Sequence, residues 1–276
     1  MLVVKIGGAS GVGFDPLIEE VAALVGEREP VVLVHGGSAE TSRLQRQLGQ
    51  EPIMVRAPTG EESRFTDEGA LDAFIMACAG RISTRLVGEL LREGVRAVGI
   101  SGVDGALCTG SMKDAIRVQR DGRRYIMRGN RSGRVETVRP ELVRVLLGAG
   151  FLPVVGPPAL SHDGKPMNTD ADRMAAAIAI SLGADDLVLL TDRAGLLRDP
   201  EDDATLIREI TTESQLERAR SHARGRMSIK LLAAEEAARG GVRRVVIADA
   251  RVSSPISSAR SGAGTVISGI PRRGEN

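Results

Sequence analysis

The stretch Leu2-Val3-Val4-Lys5-Ile6-Gly7-Gly8 decides the fold. A short apolar run that ends in glycines, without polar alternation, reads as a strand buried on both faces. The run from Pro30 to Val34 has the same form and ends in His35-Gly36-Gly37. A helical pattern from Pro16 to Val25 lies between them, and a second, Ala39 to Leu48, follows. Buried strands alternating with amphipathic helices predict a parallel sheet with helices on both sides. Further along, Asp67 to Leu91 predicts a long helix capped by Thr66 or Asp67 and closed by Gly94. Val95 to Ile100 and Leu152 to Val155 predict buried strands. Asp170 to Leu182 reads as an alanine-rich helix, and Asp186 to Leu190 as a strand ending in Thr191-Asp192. Met227 to Arg239 reads as a helix, and Arg244 to Ala248 and Gly264 to Ile267 as the last strands. The expected fold class is α/β, a three-layer αβα sandwich around a mainly parallel central sheet. Two lobes are expected in one continuous fold, residues 1–165 and 166–268, with a polar tail at 269–276.

One segment departs from this alternation. Ala115 to Val138 has a two-residue period, with Asp121-Gly122 between Ile116–Val118 and Tyr125–Met127. Asp-Gly between alternating runs predicts a tight hairpin. The window from Met112 to Arg134 holds eight basic residues, Lys113, Arg117, Arg120, Arg123, Arg124, Arg128, Arg131 and Arg134, against Asp114 and Asp121. That local excess of six positive charges sits in a chain whose net charge is only +1. Charges of this kind can simply protect a sheet edge. Six exceed what edge protection needs, and they suit an acidic protein partner.

Composition excludes several classes. Hydrophobic content of 42% and charged content of 26% are those of an ordinary globular chain. No apolar run reaches the ~18 residues of a membrane span. The opening MLVVKIGG lacks a basic leader and a cleavage site, so it reads as a strand rather than a signal peptide. Cys78 and Cys108 are too few for a disulfide framework, have no metal-ligand spacing, and are expected to be reduced and buried in a cytoplasmic protein. No metal site built from side chains is expected. The basic window has a single aromatic, Tyr125, and no reading motif, which argues against nucleic acid.

The candidate chemistry lies at strand ends. Lys5-Ile6-Gly7-Gly8 and His35-Gly36-Gly37-Ser38 both follow a strand's carboxyl end, where ligands bind in open α/β sheets. Glycines there let a phosphate approach backbone N–H groups, and a helix start attracts anions. Neither a P-loop nor the G-x-G-x-x-G dinucleotide spacing occurs. Asn168, Asp170 and Asp172 cluster ahead of the alanine-rich helix; capping explains Asp170 but does not need all three. Only four of the 37 basic residues are lysines: Lys5, Lys113, Lys165 and Lys230. A chain that uses arginine for generic charge makes each lysine notable, because an ammonium and a guanidinium do different work.

In order and spacing, Lys5 to Gly8, His35 to Gly37, Asn168 to Asp172, Thr191 to Leu196 and Met227 to Lys230 resemble the amino-acid kinase family, in particular its acetylglutamate kinase subfamily. The resemblance covers the chain to about Ile267. It implies the carbamate kinase-like form of the αβα sandwich and an ATP-dependent phosphorylation of a side-chain carboxylate. Lys5 and Lys230 would stabilise the transferring phosphoryl group, with Asp172 holding both. Gly7, Gly8, Gly36 and Gly37 would offer N–H groups to the phosphate and the attacking carboxylate. Arg64 would grip the substrate's α-carboxylate and Asn168 its main-chain end. Thr191, Asp192, Gly195 and Met227 would bind nucleotide, with Mg²⁺ carried mainly by ATP.

The physics agrees with that cast. A carboxylate with a pKa near ~4.3 is already an ionised nucleophile at neutral pH. No general base is required, and none of His35, His162 and His222 is assigned one. An anion attacking an anion needs charge compensation instead. Ser38, where acetylglutamate kinases typically carry a third glycine, and Ser101 to Gly105 resemble the members that act on 2-aminoadipate attached to an acidic amino-group carrier protein. The resemblance therefore implies lysine biosynthesis, with N-acetylglutamate phosphorylation in arginine biosynthesis, or a carrier-dependent enzyme serving both, as the alternative, and a non-catalytic nucleotide sensor after these. Lys113, Arg117, Arg120, Arg123, Arg124, Arg128 and Arg131 would dock the carrier. A homodimer is implied, formed through a helix on the substrate-side lobe. The chain opens directly on its first strand, so arginine control through an N-terminal helix is not expected.

Overall fold

A computed structural model describes residues 1–7, 15–58, 60, 62–120 and 123–271, with Arg120 described in its backbone only. Gly8 and the Asp121-Gly122 turn lie outside the described residues. In the first part of the chain the elements are β1 (Leu2–Ile6), α1 (Asp15–Gly26), β2 (Val31–His35), α2 (Ser38–Gln47), β3 (Met54–Arg56), β4 (Glu62–Arg64), α3 (Glu68–Ile75), α4 (Ser83–Arg92) and β5 (Ala97–Ser101). Next come β6 (Cys108–Arg120), β7 (Arg123–Val138), α5 (Glu141–Gly148), β8 (Leu152–Gly156), β9 (Ala159–Ser161) and β10 (Pro166–Met167). The last part holds α6 (Ala171–Leu182), β11 (Asp186–Thr191), β12 (Glu209–Ile210), α7 (Glu213–His222), α8 (Arg226–Arg239), β13 (Arg244–Asp249), α9 (Pro255–Arg260) and β14 (Thr265–Ser268).

The main sheet has the order β12-β14-β13-β11-β1-β2-β8-β5. Strands β13 through β5 in that order are parallel, and only β14 runs antiparallel to its neighbour β13. This is the α/β sandwich the apolar strands predict. Alternate residues of each strand feed two separate cores. Val3, Val32, Val34, Leu187, Leu189, Val245 and Ile247 pack with α6 and α8. Leu2, Val4, Val31, Leu33, Val188, Leu190 and Val246 pack with α1, α4 and α9. Burying one such Val or Leu fully contributes roughly 1.5–3 kcal/mol, so both helical layers are needed to cover the sheet.

The period-2 rule has a consequence for the site. Lys5 lies two residues beyond Val3, so it points to the face covered by α6 and α8. There α6 buries Ala171, Ala175, Ala176 and Ala179, while α8 buries Ala233, Ala234, Ala237 and Ala238. Small side chains on both helices permit a close approach. A larger residue in such a seam costs about 1–3 kcal/mol through overpacking.

A second sheet, β10-β9-β6-β3-β4 with β7 paired to β6, stands apart from the first. The hairpin exists as the alternation predicts, with Ile116 opposite Met127 and Val118 opposite Tyr125, but it begins earlier, at Cys108. The strands β3 and β4 escape sequence reading because they are short and largely exposed, with no apolar alternation. The long helix predicted from Asp67 is capped by Asp67, which accepts from the Ala70 N–H at 2.8 Å, and passes through a π-helical stretch, Met76–Ile82, between α3 and α4. Cys78 and Cys108 are free thiols, both buried.

Candidate active site

The parallel strands β1, β2 and β11 all end at one rim of the sheet, the position where this architecture binds ligands. A cleft of about 590 Å³ opens there. Its described lining includes Lys5, Gly7, Gly36, Gly37, Arg64, Asn168, Asp172, Thr191, Asp192, Gly195, Met227 and Lys230. Thus every catalytic, substrate-binding and nucleotide-binding residue named from the sequence lies on this one cleft, Gly8 excepted.

At its floor two ammonium groups meet one carboxylate. Lys5 Nζ lies 2.7 Å from Asp172 Oδ1, and Lys230 Nζ lies 2.8 Å from the same oxygen. The three side chains come from β1, the first turn of α6 and the second turn of α8. All three residues are buried. Burial pushes the Asp172 carboxyl up, but the two ammonium groups more than reverse this and hold it well below the usual carboxylate range. Burial, reinforced by the charge of Lys5, pushes Lys230 down to about 8, despite the opposing pull of Asp172. Asp170 caps α6, accepting from the Arg173 N–H at 2.9 Å, and burial followed by repulsion from Asp172 raises its pKa.

The glycine loops differ in what they offer. The Gly36 N–H donates to the Ile6 carbonyl at 3.3 Å, so its amide is already engaged. Gly37 is the N-cap of α2, whose first amides lack intrahelical partners, and Gly37 and Ser38 line the cleft. Cys78 Sγ packs directly against Gly37, so a Cβ there would collide with it. His35 supports this loop from below. Its Nδ1 lies 3.1 Å from the Gly36 carbonyl, and burial lowers its pKa to about 4, so the ring is neutral at pH 7.

Arg64 donates from Nη1 to Gln45 Oε1 at 2.5 Å, and from Nη2 to the Ser38 carbonyl at 2.8 Å and Ser42 Oγ at 2.7 Å. The side chain thus braces the start of α2. Asn168 Nδ2 donates to Thr66 Oγ1 at 2.8 Å. The Asn168 backbone is bonded to β7 on both sides: its N–H donates to the Arg131 carbonyl at 2.9 Å, and its carbonyl accepts from the Gly133 N–H at 2.8 Å. The basic hairpin is therefore rooted in the wall of the cleft. Lys113, Arg117, Arg123, Arg124 and Arg128 are exposed, and Arg131 is partly buried at that root. The register separates two faces, with Arg117, Arg124 and Arg128 beside the exposed Ile126 on one, and Arg123 beside Tyr125 on the other.

Sequence reasoning missed the residues that support the cleft from behind. Thr66, Gln45 and Ser42 orient Asn168 and Arg64 through contacts distant in sequence, which no local pattern announces. It also missed Arg226, the first residue of α8, which lines the cleft. Its only local signal is the preceding Gly225, which has a positive φ of 55°.

The arrangement of strand-end glycines, helix amides and a Lys–Asp–Lys cluster is that of a phosphotransferase, and the chain belongs to the amino acid kinase family, whose model matches residues 1–249. Among particular relatives, the [LysW]-aminoadipate kinase of Deinococcus radiodurans is 46% identical over 97% of this chain and 91% of its own. That of Thermus thermophilus is 45% identical over 97% of this chain and 100% of its own. The acetylglutamate kinase of Methanopyrus kandleri is 38% identical over 90% and 94%. The carbamate kinase of Giardia lamblia bound to AMP-PNP has the same fold, with a TM-score of 0.61 at 16% identity, covering 96% of this chain and 97% of that one.

Proposed function

We propose that this chain transfers the γ-phosphoryl group of ATP to the side-chain carboxylate of 2-aminoadipate carried on the acidic amino-group carrier protein LysW, forming an acyl phosphate in lysine biosynthesis. The observation that carries the chemistry is the pair of buried ammonium groups sharing Asp172 Oδ1. The choice of acceptor is supported by the two [LysW]-aminoadipate kinases at 45–46% identity.

In this reading the acceptor carboxylate is ionised and attacks without a base. Lys5 and Lys230 compensate the negative charge that gathers around the transferring group, and Asp172 fixes their positions. The Gly37 amide and the first amides of α2 face the same oxygens. Arg64 and Asn168 orient the acceptor, and Thr191, Asp192, Gly195 and Met227 border the nucleotide. Mg²⁺ supplies further charge compensation at the phosphates. The cleft is rich in ammonium and amide donors, and Asp172 is committed to lysines. That donor set suits a magnesium ion carried by the nucleotide, which needs only one or two protein oxygens.

The exposed basic hairpin is the docking surface for the acidic carrier in this reading, which is supported by its backbone bonds to Asn168 in the wall of the cleft. The working unit is a homodimer in the cytoplasm. Among the described residues no helix is long and apolar enough to cross a membrane. A second reading, N-acetylglutamate as acceptor, is favoured by the less similar acetylglutamate kinase. Trapping the acyl phosphate with hydroxylamine decides between them. Hydroxamate is expected with LysW-linked 2-aminoadipate and ATP. Turnover of free N-acetylglutamate, with none on the carrier-linked acceptor, would reject the reading.

A further inference from the structure

Two guanidinium groups meet at Ser38. Arg64, from β4, donates to the Ser38 carbonyl, and Arg226, from the start of α8, reaches Ser38 Oγ at 3.4 Å. Both arginines line the cleft and come from different elements, one from β4 and one from the helix that carries Lys230. Arg64 spends three of its hydrogen bonds on Gln45, Ser38 and Ser42. Arg226 is exposed, and among the described residues it makes that one long contact and has no acidic partner. Burial lowers the pKa of Arg64, and the next contributor is the charge of Arg226. Two like charges held side by side over a cleft are unfavourable unless an anion joins them.

We infer that Arg226 is the second arm of a clamp that closes with Arg64 on the acceptor's non-reacting carboxylate. This rests on the carboxylate-kinase reading above. A planar guanidinium suits the task, since it binds carboxylate through two parallel hydrogen bonds. The anion replaces the long contact to Ser38 and relieves the repulsion between the arginines. Arg226 and Lys230 are four residues apart on α8 and so share a helix face. Acceptor binding at Arg226 therefore holds the same face of α8 that presents Lys230 to the phosphoryl group. Only an acceptor with a carboxylate at the correct distance from its reacting end satisfies both contacts, which makes Arg226 a positioning and specificity residue.

The test is steady-state kinetics of Arg226→Gln and Arg226→Lys with carrier-linked acceptor and ATP varied separately. Arg226→Gln is expected to raise the acceptor KM about tenfold or more, the loss of a charge-assisted contact, with the ATP KM within twofold. Arg226→Lys restores part of the loss. Arg226 is exposed, so the melting temperature stays unchanged and a folding defect is separable. An acceptor KM unchanged in Arg226→Gln, or a rise confined to the ATP KM, overturns the inference and in the latter case assigns Arg226 to the nucleotide phosphates. Failure of the wild type to phosphorylate any carrier-linked acceptor would instead reject the underlying function.

Discussion

Replacing Asp172 by Asn tests the centre of the site. The substitution keeps the shape and removes one negative charge from between two ammonium groups 2.7 and 2.8 Å away. Relative exposures of 8% for Asp172, 6% for Lys5 and 5% for Lys230 leave little solvent screening. With an effective dielectric of about 20, each contact carries about 6 kcal/mol of Coulomb attraction before desolvation. Desolvation cancels much of that, and breaking a buried pair by removing one partner costs about 3–5 kcal/mol. The melting temperature is expected to fall on the order of 10 °C. The rate should fall further than stability suggests, because both lysines lose their anchor. Loss of a preorganised charge contact typically lowers kcat by about 10²–10³. Removing Lys230 as well, as Asp172→Asn with Lys230→Met, relieves the repulsion and should recover stability but no activity. Calorimetry and the hydroxamate assay read the two effects. A single variant with kcat within twofold of wild type would refute the proposed role of the cluster.

Three further outcomes follow from the same geometry. Because Lys230 is pushed down to about 8, kcat/KM should fall as pH rises through about 8. The sign of the stability effect is opposite: an unfolded lysine titrates near ~10.4, so between these values the unfolded chain binds more protons and this group's contribution to stability rises with pH. Alkaline pH profiles of rate and of melting temperature should therefore diverge, and a parallel fall would count against Lys230. Reversing Arg117, Arg124 and Arg128 to Glu should weaken carrier binding at low salt by at least tenfold, while turnover of a carrier-free acceptor is unaffected; equal affinity in titration calorimetry would remove the docking role of this face. Gly37→Ala should lower kcat/KM sharply, since its Cβ would strike Cys78 Sγ and shift the start of α2, and pairing it with Cys78→Gly should recover activity.

Much of the fold was legible because its strands are buried on both faces. Runs such as Leu2–Ile6 and Asp186–Leu190 admit few other readings, and helices such as α1, α6 and α8, of 12 to 14 residues, separate several of them. Elements that fail this criterion were not legible. The strands β3, β4 and β9 are three residues each and take their pairing from distant partners such as Gln119 opposite Arg56. The two site lysines were visible only because the chain spends 33 arginines elsewhere. Arg226 had no such contrast. It is one arginine among many, and what distinguishes it is its meeting with Arg64 at Ser38, a relation between residues 162 apart in sequence. The Asp121-Gly122 turn signal located the hairpin, but nothing local shows that its root bonds both sides of Asn168.

That root gives the carrier reading its physical sense. Docking an acidic protein on Arg117, Arg124 and Arg128 adds no charge to the phosphoryl site, which already balances two ammonium groups against one carboxylate and keeps one positive charge in excess for the incoming anions. Attraction at the hairpin can therefore raise the local concentration of acceptor without disturbing that balance, provided the two regions are mechanically joined and electrostatically separate. Both conditions are met by the β6–β7 hairpin: its exposed end carries Arg117 on β6 and Arg124 and Arg128 on β7, and the middle of β7, at Arg131 and Gly133, holds Asn168 by backbone bonds. Backbone contacts transmit position and carry no net charge. A carrier-dependent enzyme built this way can alter its docking arginines without retuning Lys230, whereas a change at Asn168 alters the position of the acceptor directly.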